Sequence, residues 1–273
     1  MQYPEAVLTA PEHSMFKSPS TYSKFTRRKL THSKYTRRQF TQRLLQSALG
    51  AIAVTIPGVL GAQSPQPLRI GIIGSGNIGG AVGLRWAAAG HHILFSSRNP
   101  DELGELVQQA GPNARAGMPI DAVEFSDVIF IAVPYAALPQ VGRDFAAMMQ
   151  GKIVIDCGNP YPRRDGEMAQ AALDKGTGVA SAEYLPGVRL VRAFNAIGYQ
   201  SVHDKHHRDG ALVAIPVAGD DQAAVAVTVN LVIDAGFEPV VVGALARARE
   251  FDQGSAVYVQ DLTAAELRAA LQL

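Results

Sequence analysis

Cysteine is almost absent from this sequence: Cys157 stands alone, so no intrachain disulfide can form. Its place after an apolar run reads as a small buried side chain rather than a nucleophile. No Ser-His-Asp order, His-Glu-x-x-His pattern or Walker lysine is present, which removes the usual parts for hydrolysis and phosphoryl transfer. A set of membrane-spanning runs is also missing; the longest apolar stretch, residues 44–60, is interrupted by Gln46, Ser47, Thr55 and Pro57. Net charge is nearly nil, with 25 Lys and Arg against 24 Asp and Glu.

That balance hides an asymmetry. Residues 1–43 hold nine of the 25 basic residues and only two of the 24 acidic ones, Glu5 and Glu12, which leaves sixteen basic and twenty-two acidic residues beyond them. A body with that acidic surplus has no electrostatic footprint for nucleic acid. The basic tail contains Thr36-Arg37-Arg38-Gln39-Phe40 ahead of the short apolar run, and together they resemble a twin-arginine (Tat) export signal. The expected organisation is therefore a Tat-type signal and linker over residues 1–66, recognised by the Tat translocation machinery and leading to the periplasm. A disordered basic extension, or a mis-assigned start upstream of a cytoplasmic enzyme, is the other reading.

What the body does contain is a glycine turn in context. A β-rich run at residues 70–73 meets Gly74-Ser75-Gly76-Asn77-Ile78-Gly79, and an Ala-rich segment of helical spacing follows through residue 89. In such a strand, turn and helix, Gly74 takes the turn's backbone angles, Gly76 lets the main chain approach a pyrophosphate, and Gly79 lets the helix pack on the strand. Free helix N–H groups then face anionic oxygen. Residues 92–96 supply the next strand, and after it stands Ser96-Ser97-Arg98-Asn99, with no carboxylate from residue 90 through 100. A carboxylate there would bond the ribose of NAD and repel a 2′-phosphate; Arg98 and Ser97 instead offer donors to that phosphate, which selects NADP. Asn99 with Pro100 can cap the next helix beside the same anion. The bland reading makes Arg98 a solvated charge and Asp101 a displaced ribose ligand.

Further along, residues 113–116 are a weak strand candidate and 120–125 a short helix. Residues 128–133 form a continuously apolar strand ending at Val133 and Pro134, where ligands bind in open α/β sheets. Tyr135 either stacks on a ring or packs. A helix over residues 138–149 leads to a strand over 152–156, and Asn159 before Pro160 either holds a carboxamide or bonds only its own turn. Residues 189–194 make another strand candidate, with Asn195 at its end. A strand over 211–218, a helix over 222–235 and a strand over 238–242 complete the body, with Asp220 or Asp221 as the helix cap in preference to a metal ligand. The loop from His203 through His206 and His207 to Arg208 reads as solvated, the alternative being contact with an acidic substrate or a metal. Arg247 and Arg249 read as a charged helix face. The apolar segment 262–273, with Leu267, Leu271 and Leu273, either covers the sheet or pairs with a second copy as a homodimer.

Taken in order, Gly74 to Gly79, Ser97-Arg98, Val133-Pro134, Asn159-Pro160, Ala193-Phe194-Asn195 and Gly219-Asp220-Asp221 resemble the NADPH-dependent F420 oxidoreductase family over about residues 68–251. The reductase domain of STEAP-type metalloreductases is similar. The resemblance implies an α/β fold, a Rossmann-type doubly wound parallel sheet over residues 67–198 with a small C-terminal α/β portion over 199–273. It also implies hydride transfer between NADP(H) and a deazaflavin (F420) or flavin ring, with NADP as cofactor and a small-molecule redox acceptor as co-substrate. Two hydroxyls common in that family are missing, since the chain has Gly158-Asn159-Pro160 and Phe194-Asn195-Ala196 where Thr-Asn-Pro and Phe-Asn-Thr are usual. No catalytic acid or base is named; His203, His206 and Tyr135 are candidates if the acceptor needs a proton. Reduction of a small imine or carbonyl is the second reading, although the relatives that do so add a long helical domain, and fewer than eighty residues follow Asn195. A non-catalytic NADP-binding module is the third. Haem-linked iron reduction would need spanning helices that are not there.

Overall fold

The computed structural model describes residues 66–273; the twin-arginine pattern at Arg37-Arg38 and the apolar run 44–60 lie outside the described residues. The first unit is β1 (Arg69–Ile73), α1 (Asn77–Ala88) and β2 (His92–Ser96). Both strands are buried along their length except at the first residue, as strands covered on two faces must be. Then come α2 (Gly104–Ala110), β3 (Ala114–Gly117), α3 (Pro119–Phe125) and β4 (Val128–Ile131). A helix α4 (Leu138–Met149), with the expected bounds, leads to β5 (Ile153–Asp156). Three short helices follow, α5 (Pro162–Asp165), α6 (Glu167–Lys175) and α7 (Thr177–Tyr184), before β6 (Arg189–Arg192). The chain ends with α8 (Tyr199–Asp204), β7 (Ala214–Gly219), α9 (Gln222–Asp234), β8 (Glu238–Gly243) and α10 (Ala264–Ala270).

The eight strands among the described residues join one sheet in the order β3-β2-β1-β4-β5-β6-β7-β8. Pairings are parallel from β3 to β6, antiparallel at β6–β7, and parallel again at β7–β8. The C-terminal portion thus extends the sheet formed by β1 to β6 instead of building a second one. Because β1 lies between β2 and β4, the chain reverses direction across the sheet there, and the crevice of an open α/β sheet forms at that point.

Alternating strand residues fill two layers. Ile70, Ile72, Phe95 and Phe130 face the layer that holds Trp86 of α1 and Leu231 of α9, whereas Ile73, Leu94, Ile129 and Ile131 face Val123 of α3 and Leu138 of α4. Each such large apolar side chain contributes roughly 1.5–3 kcal/mol on full burial. Trp86 anchors its layer edge-on to Phe130 and Phe194, with ring centroids 5.1 and 5.7 Å away, and its indole N–H donates to the Leu231 carbonyl at 2.7 Å.

Several expectations change at this level. β4 stops at Ile131, so Val133 and Pro134 belong to the loop after it. β7 begins at Ala214, three residues later than its apolar composition suggested. Asp221 caps α9, its carboxylate accepting from the Ala224 N–H at 2.8 Å while pairing with Arg189. Arg247 does lie on a charged face, paired with Glu250, and also donates to the Val242 carbonyl. Leu267 of α10 is buried against the outer strands with Val240 and Val242, and Leu271 packs beside it, so this segment covers the sheet; Leu273 is exposed.

Candidate functional site

The glycine turn sits at the carboxyl end of β1, tied to β2 by N–H bonds from Gly74 and Ser75 to the Ser96 carbonyl. Gly74 has φ +97°, and a Cβ there would stand 2.7 Å from the Ala132 carbonyl oxygen. A Cβ on Gly79 would run into the Gly74 carbonyl, so these two glycines are demanded by the protein's own packing. Gly76 differs. Its φ is −79° and a Cβ there would meet nothing within 4 Å, so neither backbone conformation nor protein packing requires glycine. The space it keeps clear faces the start of α1, which has no side-chain cap and no acidic residue in its first turn. Uncapped amides at a helix start are an anion site, and the Ser75 hydroxyl, buried without a partner, adds an unused donor.

Past the end of β2, Arg98 is exposed and makes no ion pair among the described residues. Ser97 accepts from the Asn99 N–H at 3.1 Å. Asn99 does not cap with its side chain, which instead donates to Glu102 at 3.2 Å; its carbonyl alone receives the first N–H of the following turn. Asp101 points no bond toward the crevice; it lies in the exposed first turn after Pro100.

The other half of the crevice is a cleft of about 620 Å³. The structure brings Asn77, Ile78, Val133, Pro134, Asn159 and Asn195 to its wall, the ends of α1, β4, β5 and β6 converging there. Asn159 is not a self-contained turn. Its amide N–H donates to the Asn195 carbonyl at 2.8 Å, and its amide oxygen is buried without a donor. The Asn195 amide donates to the Phe251 carbonyl at 3.3 Å and likewise leaves its oxygen unpaired. Two orphaned acceptors beside one cleft suit a ligand carrying amide N–H groups.

Tyr135 is not on that wall. It is 1 % exposed, and its hydroxyl lies 3.0 Å from Ser181 Oγ, with burial raising its pKa well above the ordinary phenol value. Cys157 lines the cleft with its thiol donating to the Ile131 carbonyl, and burial holds it protonated, which fits a packing role. His206 meets Arg85 near the far end of α1, about 13 Å along the helix from Gly76 at 1.5 Å per residue, and burial followed by Arg85 lowers its pKa. The His-rich stretch is solvated as expected at His203, Asp204 and His207, which are exposed, although His203 and Asp204 are helical and Lys205 pairs with Asp261. His203 lines a shallower depression beside Gly76 and Asn77, which also holds Glu102 and Glu105. No group of acidic, His and Cys side chains able to hold a metal occurs among the described residues.

Two features of the site were not foreseen. The first is a charged cluster under the cleft floor: Arg192, with no exposed surface, donates to Asp156 at 2.7 Å and to Asp252 at 3.3 Å. Asp156 also accepts from Ser181 and from the Gly158 N–H, and Asp252 from Thr177 and the Asn195 amide. Burial opposes the Arg192 charge, but the two carboxylates outweigh it and hold the guanidinium protonated. The cluster thereby fixes the turns that carry Gly158 and Asn195. The second is the far wall, Tyr161, Tyr258 and Val259, partly supplied by the segment between β8 and α10. Phe194 and Val259 both take positive φ, 62° and 55°, conformations bulky residues adopt only under constraint, and both line the cleft. The one advance signal was Arg192 itself, a charge inside an apolar strand, which requires buried partners.

The resemblance read from the ordered blocks is matched by comparison with known proteins. Residues 69–160 match the family model described as NADP oxidoreductase coenzyme F420-dependent. The metalloreductase STEAP3 of Rattus norvegicus is 29% identical over 191 residues, 67% of this chain and 36% of that protein. The human metalloreductase STEAP2 is 24% identical over 71% of this chain and 37% of its own length. The chain therefore spans little more than a third of the length of these curated relatives. A hypothetical protein of known structure from Sinorhizobium meliloti superposes with a TM-score of 0.63 at 25% identity, covering 72% of this chain and 95% of that one. The shared architecture is the open, mostly parallel α/β sheet of Rossmann type.

Proposed function

We propose that this protein reduces a deazaflavin, a flavin or a similar planar acceptor with NADPH; the match of residues 69–160 to the model described as NADP oxidoreductase coenzyme F420-dependent supports this reading. The observation that carries the reading is the space kept clear at Gly76 before the uncapped start of α1, next to Asn77, which also lines the cleft where Asn159 and Asn195 hold unused amide oxygens. Gly74 to Gly79 receive the pyrophosphate, with Ser75 Oγ as an added donor. Ser97 and Arg98 hold the 2′-phosphate through charge-assisted bonds. Val133 and Pro134 border the nicotinamide half, and Asn159 with Asn195 orient its carboxamide. When bound, NADPH supplies a hydride; the chain's part is to hold two rings at contact distance and exclude water between them.

Support for a planar acceptor comes from the aromatic side chains of Tyr161 and Tyr258, which line the cleft together with Val133, Pro134 and Asn159. The twin-arginine pattern at Arg37-Arg38 supports delivery of the folded, cofactor-loaded protein to the periplasm.

The test is to mix purified protein with NADPH and, separately, F420, FMN, FAD and a simple imine, and to follow the nicotinamide absorbance. Oxidation with a deazaflavin or flavin is the expected result. Oxidation by the imine alone would move the reading to carbonyl-type chemistry, and tight NADPH binding without oxidation by any acceptor would make the chain a binding module. In the same assay Arg98→Ala should cut the preference for NADPH over NADH about tenfold, the loss of one exposed charge-assisted contact to phosphate, with NADH affinity unchanged. An unchanged ratio would remove Arg98 from the site.

A further inference from the structure

Deazaflavins and flavins take up a proton as well as a hydride, and none of the groups first considered for that proton faces the acceptor end of the cleft. Tyr135 is buried elsewhere, His206 lies toward the far end of α1, and His203 lines the separate depression beside Gly76 and Glu102. The far wall carries another candidate. Tyr161 and Tyr258 meet hydroxyl to hydroxyl at 2.5 Å although 97 residues separate them. The Asn159 amide, a donor only at its nitrogen, lies 3.5 Å from the Tyr258 oxygen. With the Asn159 N–H on Tyr258 oxygen, the arrangement in which the Tyr258 O–H donates to Tyr161 oxygen leaves the Tyr161 O–H free to turn into the cleft. The Arg164 guanidinium sits over the Tyr161 ring, 4.9 Å from its centroid, adding positive charge beside the tyrosine pair.

This arrangement is built, not incidental. Asp165 accepts from the Tyr161 N–H at 2.9 Å and from Ala136 N–H after β4, so the Tyr161 backbone is pinned to the cleft's opposite loop. Arg164 is held by Asp165 and by the Asn159 carbonyl at 2.8 Å. On the other side, the Val259 N–H bonds the Ala196 carbonyl at 3.0 Å, which fixes Tyr258.

We propose that Tyr161 is the proton donor to the acceptor, with Tyr258 as its positioning residue. The inference rests on the hydride-transfer reading above. As the acceptor gains a hydride with its electron pair from the dihydronicotinamide, the Tyr161 O–H bond breaks and an N–H bond forms at an acceptor ring nitrogen. The phenolate left behind accepts the Tyr258 hydrogen bond, lies under Arg164, and is reprotonated from water. The acceptor class is thus a ring that is reduced at one atom and protonated at a nitrogen within reach of one phenol.

Tyr161→Phe and Tyr258→Phe test this, each against wild type. In Tyr161→Phe, single-turnover reduction of F420 or FMN by NADPH should slow about 100-fold and lose its solvent deuterium isotope effect, in line with the removal of a general acid. Equilibrium binding of the same acceptor, measured by fluorescence without NADPH, should weaken about tenfold for one lost hydrogen bond, while calorimetric NADPH affinity and the melting temperature stay at wild-type values. Tyr258→Phe should slow turnover less and keep the isotope effect. Turnover within twofold of wild type in Tyr161→Phe, or a loss matched by weaker NADPH binding, would overturn the assignment. Wild-type protein that reduces no acceptor would overturn the hydride reading and this one with it.

Discussion

Gly76→Ala should lose NADPH almost completely while folding as well as wild type. The two effects are separable because the added methyl group meets no protein atom within 4 Å and the backbone there has φ −79°, which alanine adopts freely. At a helix start glycine is a slightly better cap than alanine, whereas alanine restricts the unfolded chain, so stability should stay within about 1 kcal/mol of wild type. The methyl group does occupy the approach to the uncapped amides. Displacing a phosphate by that width breaks about two charge-assisted hydrogen bonds, each worth roughly 1.5–3 kcal/mol, which predicts an affinity loss of at least about 100-fold. Calorimetry with NADPH, alongside thermal unfolding, reads both quantities. The same substitution at Gly74 or Gly79 should instead unfold the turn, because there the Cβ collides with backbone carbonyls. Unimpaired binding by Gly76→Ala would mean that nothing passes this space.

Arg192→Met should cost about 3–5 kcal/mol of stability, the range for removing one partner of a buried ion pair. Arg192 lies between Asp156 and Asp252, and its loss would leave two carboxylates facing each other beneath the cleft without a cation. Methionine fills much of the volume, so packing alone would predict a smaller change. Urea unfolding of Arg192→Met, Asp156→Asn and the double variant separates the causes. The double variant should be destabilised by less than the two single losses combined, since it removes charge from both sides of one contact. Strict additivity would mean that Arg192 matters for its bulk and not for its charge.

Local backbone demands made the first βαβ unit legible in advance. Gly74 and Gly79 are required by a positive φ and a close helix approach, both of which are encoded within a few residues. The bounds of α4 were equally plain, because its apolar spacing runs between a proline start and Gly151. The cleft's lining was visible only on the side made by strand ends. Asn159 and Asn195 could be named from their positions, yet their bond to each other, across 36 residues, depends on β5 and β6 being neighbours. The far wall was not legible for the same reason carried further. Tyr258 reaches Tyr161 and Asn159 only because the chain turns back after β8, and no spacing rule connects residues nearly a hundred positions apart. Short helices between β5 and β6 were also hidden, since Gly166 and Gly176 cut their apolar pattern into pieces too brief to show a period.

The most direct measurement is isothermal calorimetry of the wild-type protein with NADPH and, separately, NADH. A cleft whose glycine turn takes the pyrophosphate and whose Arg98 takes the 2′-phosphate should bind one NADPH per chain, at least about tenfold more tightly than NADH. No heat of binding with NADPH, or equal affinity for the two nucleotides, would contradict it.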